Sequence, residues 1–311
     1  MTQDHIIIGS RGSDLALWQA NYVADLLRVV YIETTVTIEI FTTRGDKVLD
    51  TPLPLIGGKG LFTAELEAAL YEGRIDLAVH SLKDLPTDDP DGLIIGAIPA
   101  RADVNDVLVC RGDQTLATLP SQAVIGTSST RRAAQLLAQR SDLKIEDIRG
   151  NVPTRAGRVQ DPVSVYDATV LAKAGVDRLG MQHIISEVLS LDLMLPAPGQ
   201  GALGIQCRAD ATSQTLVTPL DDHATRLAVT AERAFLAGLG GGCSVPVAAY
   251  ATVNGALHLQ GRVAAVTGDE QVNVSGQTAI LTLEAAYQLG QTLAEQAKQQ
   301  GATAILEAVH G

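Results

Sequence analysis

Apolar residues along this chain come in short runs, each followed by a small or polar turn and then by a stretch with helical spacing. Ile6 to Ile8 runs into Gly9-Ser-Arg-Gly-Ser13, and Asp14 to Leu27 then places apolar residues at the spacing of an amphipathic helix. Val36 to Phe41 alternates as a half-buried strand does and leads into Thr42-Thr-Arg-Gly-Asp46. A helix is predicted from Thr63 to about Glu72 and a buried strand from Ile75 to Val79. Beyond Pro99, Val107–Cys110 and Ala123–Gly126 read as strands joined by the turn-rich stretch Leu116 to Gln122. A helix over Ala133 to Gln139 and strands over Ile145 to Arg149 and Ser164 to Leu171 follow. This β/α alternation on both sides of residue 100 predicts two similar α/β domains facing one cleft.

The pattern changes near Pro219. A helix is predicted from Ala224 to Leu239, ending at Gly240-Gly-Gly-Cys-Ser-Val-Pro246. Val247 to Val253, Leu257 to Val266 and Val272 to Ser275 read as a small antiparallel meander, with Asn254-Gly255 marking a hairpin. Leu281 to Gln299 closes the chain as an amphipathic helix, making a third, α+β domain. Gly199, Gly201 and Gly204 form a G-x-G-x-x-G, but prolines stand where its strand should be and a strand-like run follows it. A hinge or crossover between domains fits that stretch better than a dinucleotide site.

Composition narrows the function classes. A net charge of −12 argues against nonspecific binding to nucleic acid or to anionic membrane, and 3% aromatic residues leave few platforms for stacking bases. No apolar run approaches a membrane span, and the first residues lack the pattern of a secretory signal, so a cytoplasmic protein is expected. Cys110, Cys207 and Cys243 are far apart with no C-x-x-C pair, and the histidines form no H-E-x-x-H. Neither a disulfide framework nor a metal site is expected. Positive charge is nevertheless concentrated: Arg131, Arg132, Arg140, Lys144, Arg149, Arg155 and Arg158 lie close in sequence among only Asp142, Glu146 and Asp147. A basic island in an acidic chain points to a small polyanionic ligand.

Candidate chemistry falls at strand exits, where open α/β sheets bind ligands. Lys83 and Asp84 follow the Ile75–Val79 run, and Pro86 and Pro90 bar a long regular element after them. Together they can hold a carboxylate and stabilise a cation; the alternative is a solvated turn. Arg11 and Ser13 stand where a strand meets a helix start, a place whose backbone N–H groups attract anions. Thr127-Ser-Ser-Thr-Arg-Arg132 repeats that arrangement, and two arginines in a helix's first turn oppose its dipole unless an anion sits between them. Gly57-Gly-Lys-Gly60 lacks the spacing of a P-loop and reads as a flexible loop bearing Lys59 or as a plain connector. Cys243, after three glycines, is either an exposed nucleophilic thiol or a small buried hydrophobe.

Taken in order, Leu15-Ala-Leu-Trp-Gln-Ala, Thr43-Arg-Gly-Asp, Gly57-Gly-Lys-Gly-Leu-Phe, Asp76-Leu-Ala-Val-His-Ser-Leu-Lys-Asp-Leu-Pro, Gly126-Thr-Ser-Ser-Thr-Arg-Arg, Arg149-Gly-Asn-Val-Pro-Thr-Arg, Leu195-Pro-Ala-Pro-Gly-Gln-Gly-Ala and Gly241-Gly-Cys-Ser-Val-Pro closely resemble the porphobilinogen deaminase family, also called hydroxymethylbilane synthases. The resemblance runs from about residue 6 to 250. It implies two periplasmic-binding-protein-like (type II) α/β domains flanking a cleft, residues 1–99 with 200–217 and residues 100–199. A small α+β domain with a three-stranded antiparallel sheet, residues 218–311, completes the implied fold.

The reaction it implies condenses four porphobilinogen molecules head to tail with loss of ammonia, and hydrolysis then releases the linear tetrapyrrole hydroxymethylbilane. The growing chain hangs from a dipyrromethane cofactor joined by thioether to Cys243. By resemblance, Lys83, Thr127, Ser129, Arg131, Arg132, Arg149, Gly150 and Asn151 hold the cofactor. Arg11, Ser13, Lys59, Phe62, Arg149, Arg155 and Arg178 meet the substrate, with Phe62 stacked over the pyrroles. Each pyrrole carries an acetate and a propionate, which call for paired guanidinium donors. Asp84 is then the lone carboxylate that meets positive charge present only during reaction. Leu55, where many relatives carry lysine, and Ala156-Gly-Arg-Val159 depart from the family pattern. The competing class is a solute receptor of two α/β lobes without catalysis, which the missing signal, the third domain and the Cys243 loop count against. A monomer whose partner is its substrate alone is expected.

Overall fold

The structure is a computed structural model that describes residues 4–43, 45, 63–241 and 245–310. The chain divides into two compact units, one of residues 1–101 and 202–226 and the other of residues 102–201 and 227–311.

The first unit is built on a sheet in the order β2-β1-β3-β10-β4: β1 (His5–Arg11), β2 (Thr35–Phe41), β3 (Leu77–Ser81), β4 (Leu93–Ala97) and β10 (Leu203–Arg208). Strands β1, β2 and β3 are parallel, with Ile8 opposite Ile38 on one side and Leu77 on the other. Strand β10 runs antiparallel between β3 and β4. As a central strand covered on both faces, β1 is a continuous apolar run rather than an alternating one. Ile6 and Ile8 are buried against one layer, where α1 (Asp14–Val30) contributes Ala20, Val23, Ala24 and Leu27. Ile7 packs on the opposite layer, beneath α2 (Ala64–Tyr71), with Leu66, Leu70 and Ile75.

The second unit repeats the order as β7-β6-β8-β5-β9: β5 (Asp106–Cys110), β6 (Val124–Gly126), β7 (Lys144–Glu146), β8 (Ala168–Ala172) and β9 (Glu187–Val188). Here β6, β7 and β8 are parallel and β5 is the antiparallel strand beside β8. In each sheet the antiparallel insert is the first strand laid down after the chain crosses from the other unit, the arrangement of type II periplasmic-binding-like folds. Gly201, at the second crossing, has φ +84°, and a Cβ there would stand 2.6 Å from the carbonyl oxygen of Ala102 at the first. The G-x-G-x-x-G is thus a crossover; its last glycine, Gly204, lies inside β10.

The same unit carries the meander β11 (Val247–Asn254), β12 (Ala256–Ala264) and β13 (Gln271–Thr278), turned at Gly255 as Asn254-Gly255 predicts. It packs on α7 (His223–Gly238), α8 (Leu283–Ala297) and α9 (Thr303–His310). Buried Glu232 of α7 joins this part to the crossover segment: its carboxylate accepts from Gly199 N at 2.7 Å and from Ala251 N at 2.8 Å. Arg262 of β12 donates to Gln135 Oε1 at 2.8 Å and to the carbonyl of Asp192 at 3.1 Å.

Several expectations change in detail. The helix predicted from Ala133 begins at Thr130 as α3 (Thr130–Gln139), because Ser129 caps it and accepts from Arg132 N. The strand expected to reach Arg149 stops at Glu146. Gly150–Arg155 is not simply a loop, since α4 (Val152–Gln160) starts within it, capped by Asn151 and with proline in its first turn. Lys173–Arg178 forms a short helix, α5, and Ala211–Val217 another, α6. The closing helix breaks at Gly301, φ +104°, before α9.

The second unit is organised around a buried ion triad. Asp106, fully buried at the start of β5, receives Arg131 Nη2 and Arg132 Nη2, each at 2.7 Å, on its two carboxylate oxygens. Arg131 also donates to the carbonyl of Leu195 at 2.7 Å, Arg132 to that of Val170 at 2.8 Å, and Gln200 Nε2 to Asp106 Oδ1 at 3.0 Å. Removing one member of a buried charge group strands the others, at a cost of about 3–5 kcal/mol. Asp106→Asn is therefore expected to lower unfolding free energy by roughly that amount in urea titration, and a change under about 1 kcal/mol would contradict the triad's role.

Candidate active site

In the first unit the strand order reverses beside β1, so the carboxyl ends of β1 and β3 lie side by side, the position at which such sheets bind ligands. Arg11 is the last residue of β1 and half-buried. Two residues on, Ser13 caps α1, its Oγ accepting from Ala16 N at 3.3 Å. The exit of β3 is a single helical turn, Leu82–Asp84. Leu82 is fully buried and its N–H donates to the carbonyl of Ala202 at 3.0 Å, which fastens the turn to the start of β10. Leu85 is buried behind it, so Lys83 is left half-buried and Asp84 exposed. Ser81, just before the turn, accepts from Gln19 Nε2 of α1 at 2.9 Å.

His80 adds an uncharged group to this exit. It is buried, with Nε2 3.1 Å from Gln206 Oε1 on β10. Burial pushes its pKa down to about 4 against the opposing effect of the Gln206 bond, and the nearby charge of Arg11 lowers it further. The ring is neutral at neutral pH, so Arg11 and Lys83 are not joined by a third cation.

In the second unit three parallel strands end in polar turns. Past β6, Thr127 Oγ1 accepts from Ser129 N at 3.2 Å and Ser129 Oγ from Arg132 N at 3.4 Å. Past β7 come Arg149, Gly150 and Asn151. Asn151 Oδ1 caps α4 by accepting from Thr154 N at 2.9 Å. Gly150 has φ +113°, and a Cβ there would meet Thr154 Cγ2 at 2.6 Å, so the tight entry into α4 requires glycine. Arg155 Nε donates to the carbonyl of Gly150 at 2.8 Å. Past β8, Arg178 at the end of α5 donates to the carbonyl of Gly201 at 2.8 Å.

An anion does sit between the two arginines in the first turn of α3: it is the carboxylate of Asp106, which sequence reasoning did not name. Their guanidinium groups point into the unit, where desolvation lowers the Arg131 pKa and Asp106 opposes the shift. What is left over is specific: Arg132 Nε and Arg149 Nη1 are buried and, among the described residues, without a hydrogen-bond acceptor. Sequence reasoning passed over Asp106 and Gln200, although a charged residue opening the apolar run Val107–Cys110 is a signal of a buried, paired carboxylate. Lys59, Phe62 and Cys243 lie outside the described residues, as does Gly57–Gly60.

The arrangement thus offers an exposed carboxylate, Asp84, next to Lys83 in the first unit and, in the second, Arg132 Nε and Arg149 Nη1 as buried donors without an acceptor among the described residues. No helix among the described residues is long and apolar enough to cross a membrane.

Two family models match the chain. "Porphobilinogen deaminase, dipyromethane cofactor binding domain" covers residues 6–215, and "Porphobilinogen deaminase, C-terminal domain" covers residues 226–299. A porphobilinogen deaminase of Roseiflexus sp. (strain RS-1) is 48% identical over 308 residues, 97% of this chain and 98% of its own. Those of Roseiflexus castenholzii and Syntrophotalea carbinolica are each 47% identical, over 98% and 99% of this chain and 99% and 97% of their own. Among solved structures, the methionine binding protein MetQ overlays with a TM-score of 0.43 at 14% identity, covering 70% of this chain and 89% of that one. With two family models end to end along it and relatives of that name matching nearly their full length, the chain belongs to the porphobilinogen deaminase family.

Proposed function

We propose that the chain joins four porphobilinogen molecules head to tail, with loss of ammonia, onto a dipyrromethane primer held by Cys243, and then releases hydroxymethylbilane by hydrolysis. The match to both family models over nearly the whole chain carries this reading. The side chains supply the division of labour. When bound, the dipyrromethane provides the free pyrrole carbon to which the first substrate unit is joined. The residues fit such a group: its acetates and propionates need buried cationic donors, and among the described residues Arg132 Nε is a buried donor without an acceptor, while Arg149 serves both the primer and the substrate. Lys83, Thr127, Ser129, Arg131, Gly150 and Asn151 complete its binding set, Arg131 and Asn151 by holding the strand exits in shape. Arg11, Ser13, Lys59, Phe62, Arg155 and Arg178 serve the substrate beside Arg149.

Asp84 is the catalytic residue in this reading. Departure of ammonia breaks the C–N bond of the substrate's aminomethyl arm and leaves a cation. The Asp84 carboxylate opposes that charge and takes up the proton released when the new C–C bond forms. Its exposure leaves it open to substrate.

Cys243 carries the primer, and the other two thiols are poor rivals. Cys110 and Cys207 are buried, and burial raises both to about 11. We assign residues 1–99 with 200–217 to catalysis, residues 100–199 to carboxylate binding and residues 218–311 to presenting Cys243. The protein acts as a cytoplasmic monomer with no nucleic-acid or membrane partner.

Asp84→Asn is expected to keep its primer and bind porphobilinogen while losing about two to four orders of magnitude in kcat; a variant with the parent rate would remove Asp84 from the mechanism. Intact-mass spectrometry tests the attachment. The purified protein should exceed its sequence mass by one dipyrromethane, Cys110→Ala and Cys207→Ala should keep that increment, and Cys243→Ser should lose it. An increment that survives Cys243→Ser would place the primer elsewhere.

A further inference from the structure

Strands β6 and β7 stop being a ladder beyond Gly126 and Glu146. The last backbone bond between them runs from Thr127 N to the carbonyl of Glu146 at 2.9 Å. One segment then turns into α3 through Thr127, Ser128 and Ser129, and the other into α4 through Asp147 to Asn151. The hydroxyls of Thr127 and Ser129 are used within their own turn. Ser128 is turned the other way: its Oγ donates to the carbonyl of Ile148 at 3.1 Å. That bond continues the ladder by one side-chain rung after the backbone rungs have ended.

The rung lands next to Arg149. Ile148 is fully buried, and its side chain lies so close to Gly126 that a Cβ on that glycine would stand 3.0 Å from Ile148 Cδ1. On the other side of Arg149 the carbonyl of Gly150 is held by Arg155 Nε at 2.8 Å. The peptide that precedes Arg149 and the one that follows Gly150 are thus each held by a side chain, while Arg149 Nη1 is buried with no acceptor among the described residues. A buried N–H aimed at a ligand is useful only if its direction is set beforehand, since a donor that must reorient loses part of its binding free energy in doing so.

We infer that Ser128 is a positioning residue for Arg149: its hydroxyl, through the Ile148 carbonyl, sets the direction in which the Arg149 guanidinium meets a substrate carboxylate. This rests on the reading above that Arg149 binds substrate. Ser128 touches neither substrate nor primer in this role.

The test uses the primer-loaded enzyme, verified by intact mass, with porphobilinogen as substrate. Ser128→Ala should raise KM roughly three- to tenfold, the worth of one neutral hydrogen bond, with kcat within about twofold of the parent. Ser128→Thr keeps the hydroxyl and should restore KM. Arg149→Lys, measured alongside, should raise KM at least as much as Ser128→Ala. If Ser128→Ala lowers only the unfolding temperature and leaves KM at the parent value while Arg149→Lys raises it, Ser128 is merely structural and the inference fails alone. A KM that Ser128→Thr does not restore overturns it as well. A parent KM in Arg149→Lys removes Arg149 from substrate binding, and the inference goes with that reading.

Discussion

Asp106 and its two arginines decide how the second unit is put together. A helix whose first turn holds adjacent arginines and no acidic residue is electrostatically ill-placed, because the positive end of its dipole meets two fixed cations. Asp106 answers both from the neighbouring strand β5, and Gln200 closes the remaining side of the carboxylate. The result binds the crossing strand to the start of α3, and through the arginines' other bonds fixes the backbone at Val170 and Leu195. Thr127 and Ser129 owe their positions to that anchored helix start. The charge that Arg131 and Arg132 share is internal, and Arg132 Nε and Arg149 Nη1 remain as buried donors without an acceptor among the described residues.

The two units use one strand order for different chemistry. At the β3 exit a carboxylate, Asp84, is left exposed because Leu82 and Leu85 on either side are buried. In the second unit a carboxylate, Asp106, is wholly buried and neutralised twice over. Residue type alone does not separate the two roles; solvent access and partners do. An exposed carboxylate can answer charge that appears during reaction, whereas a buried, doubly paired one is committed before any ligand arrives.

The strand and helix succession of both units is legible in the sequence because short apolar runs bounded by glycine and polar turns leave little choice of element. The meander was legible from Asn254-Gly255. Helix starts were harder: α4 hides in what reads as a loop, though Asn151 followed by Pro153 is a start signal. The resemblance supplied roles for Asp84 and the arginines, but not the direction in which Arg131 and Arg132 point. That depends on Asp106, some 25 residues upstream by the separation of the Arg131 pair, and no local pattern joins the two. The neutrality of His80 is likewise a product of burial across β3 and β10 rather than of its neighbours in sequence.

The order in which these strands leave the ribosome follows from the double crossing. By residue 101 the chain has delivered β1, β2, β3 and β4, but the strand that lies between β3 and β4 is β10, whose last residue is Arg208. Until then β3 and β4 each offer an unpaired edge inside what will be a single sheet. The second sheet is encoded without interruption from Asp106 to Val188. The later-synthesised sheet therefore has all its strands first, and the earlier one waits, with the Lys83–Asp84 turn unfastened, for Ala202 and β10 to arrive.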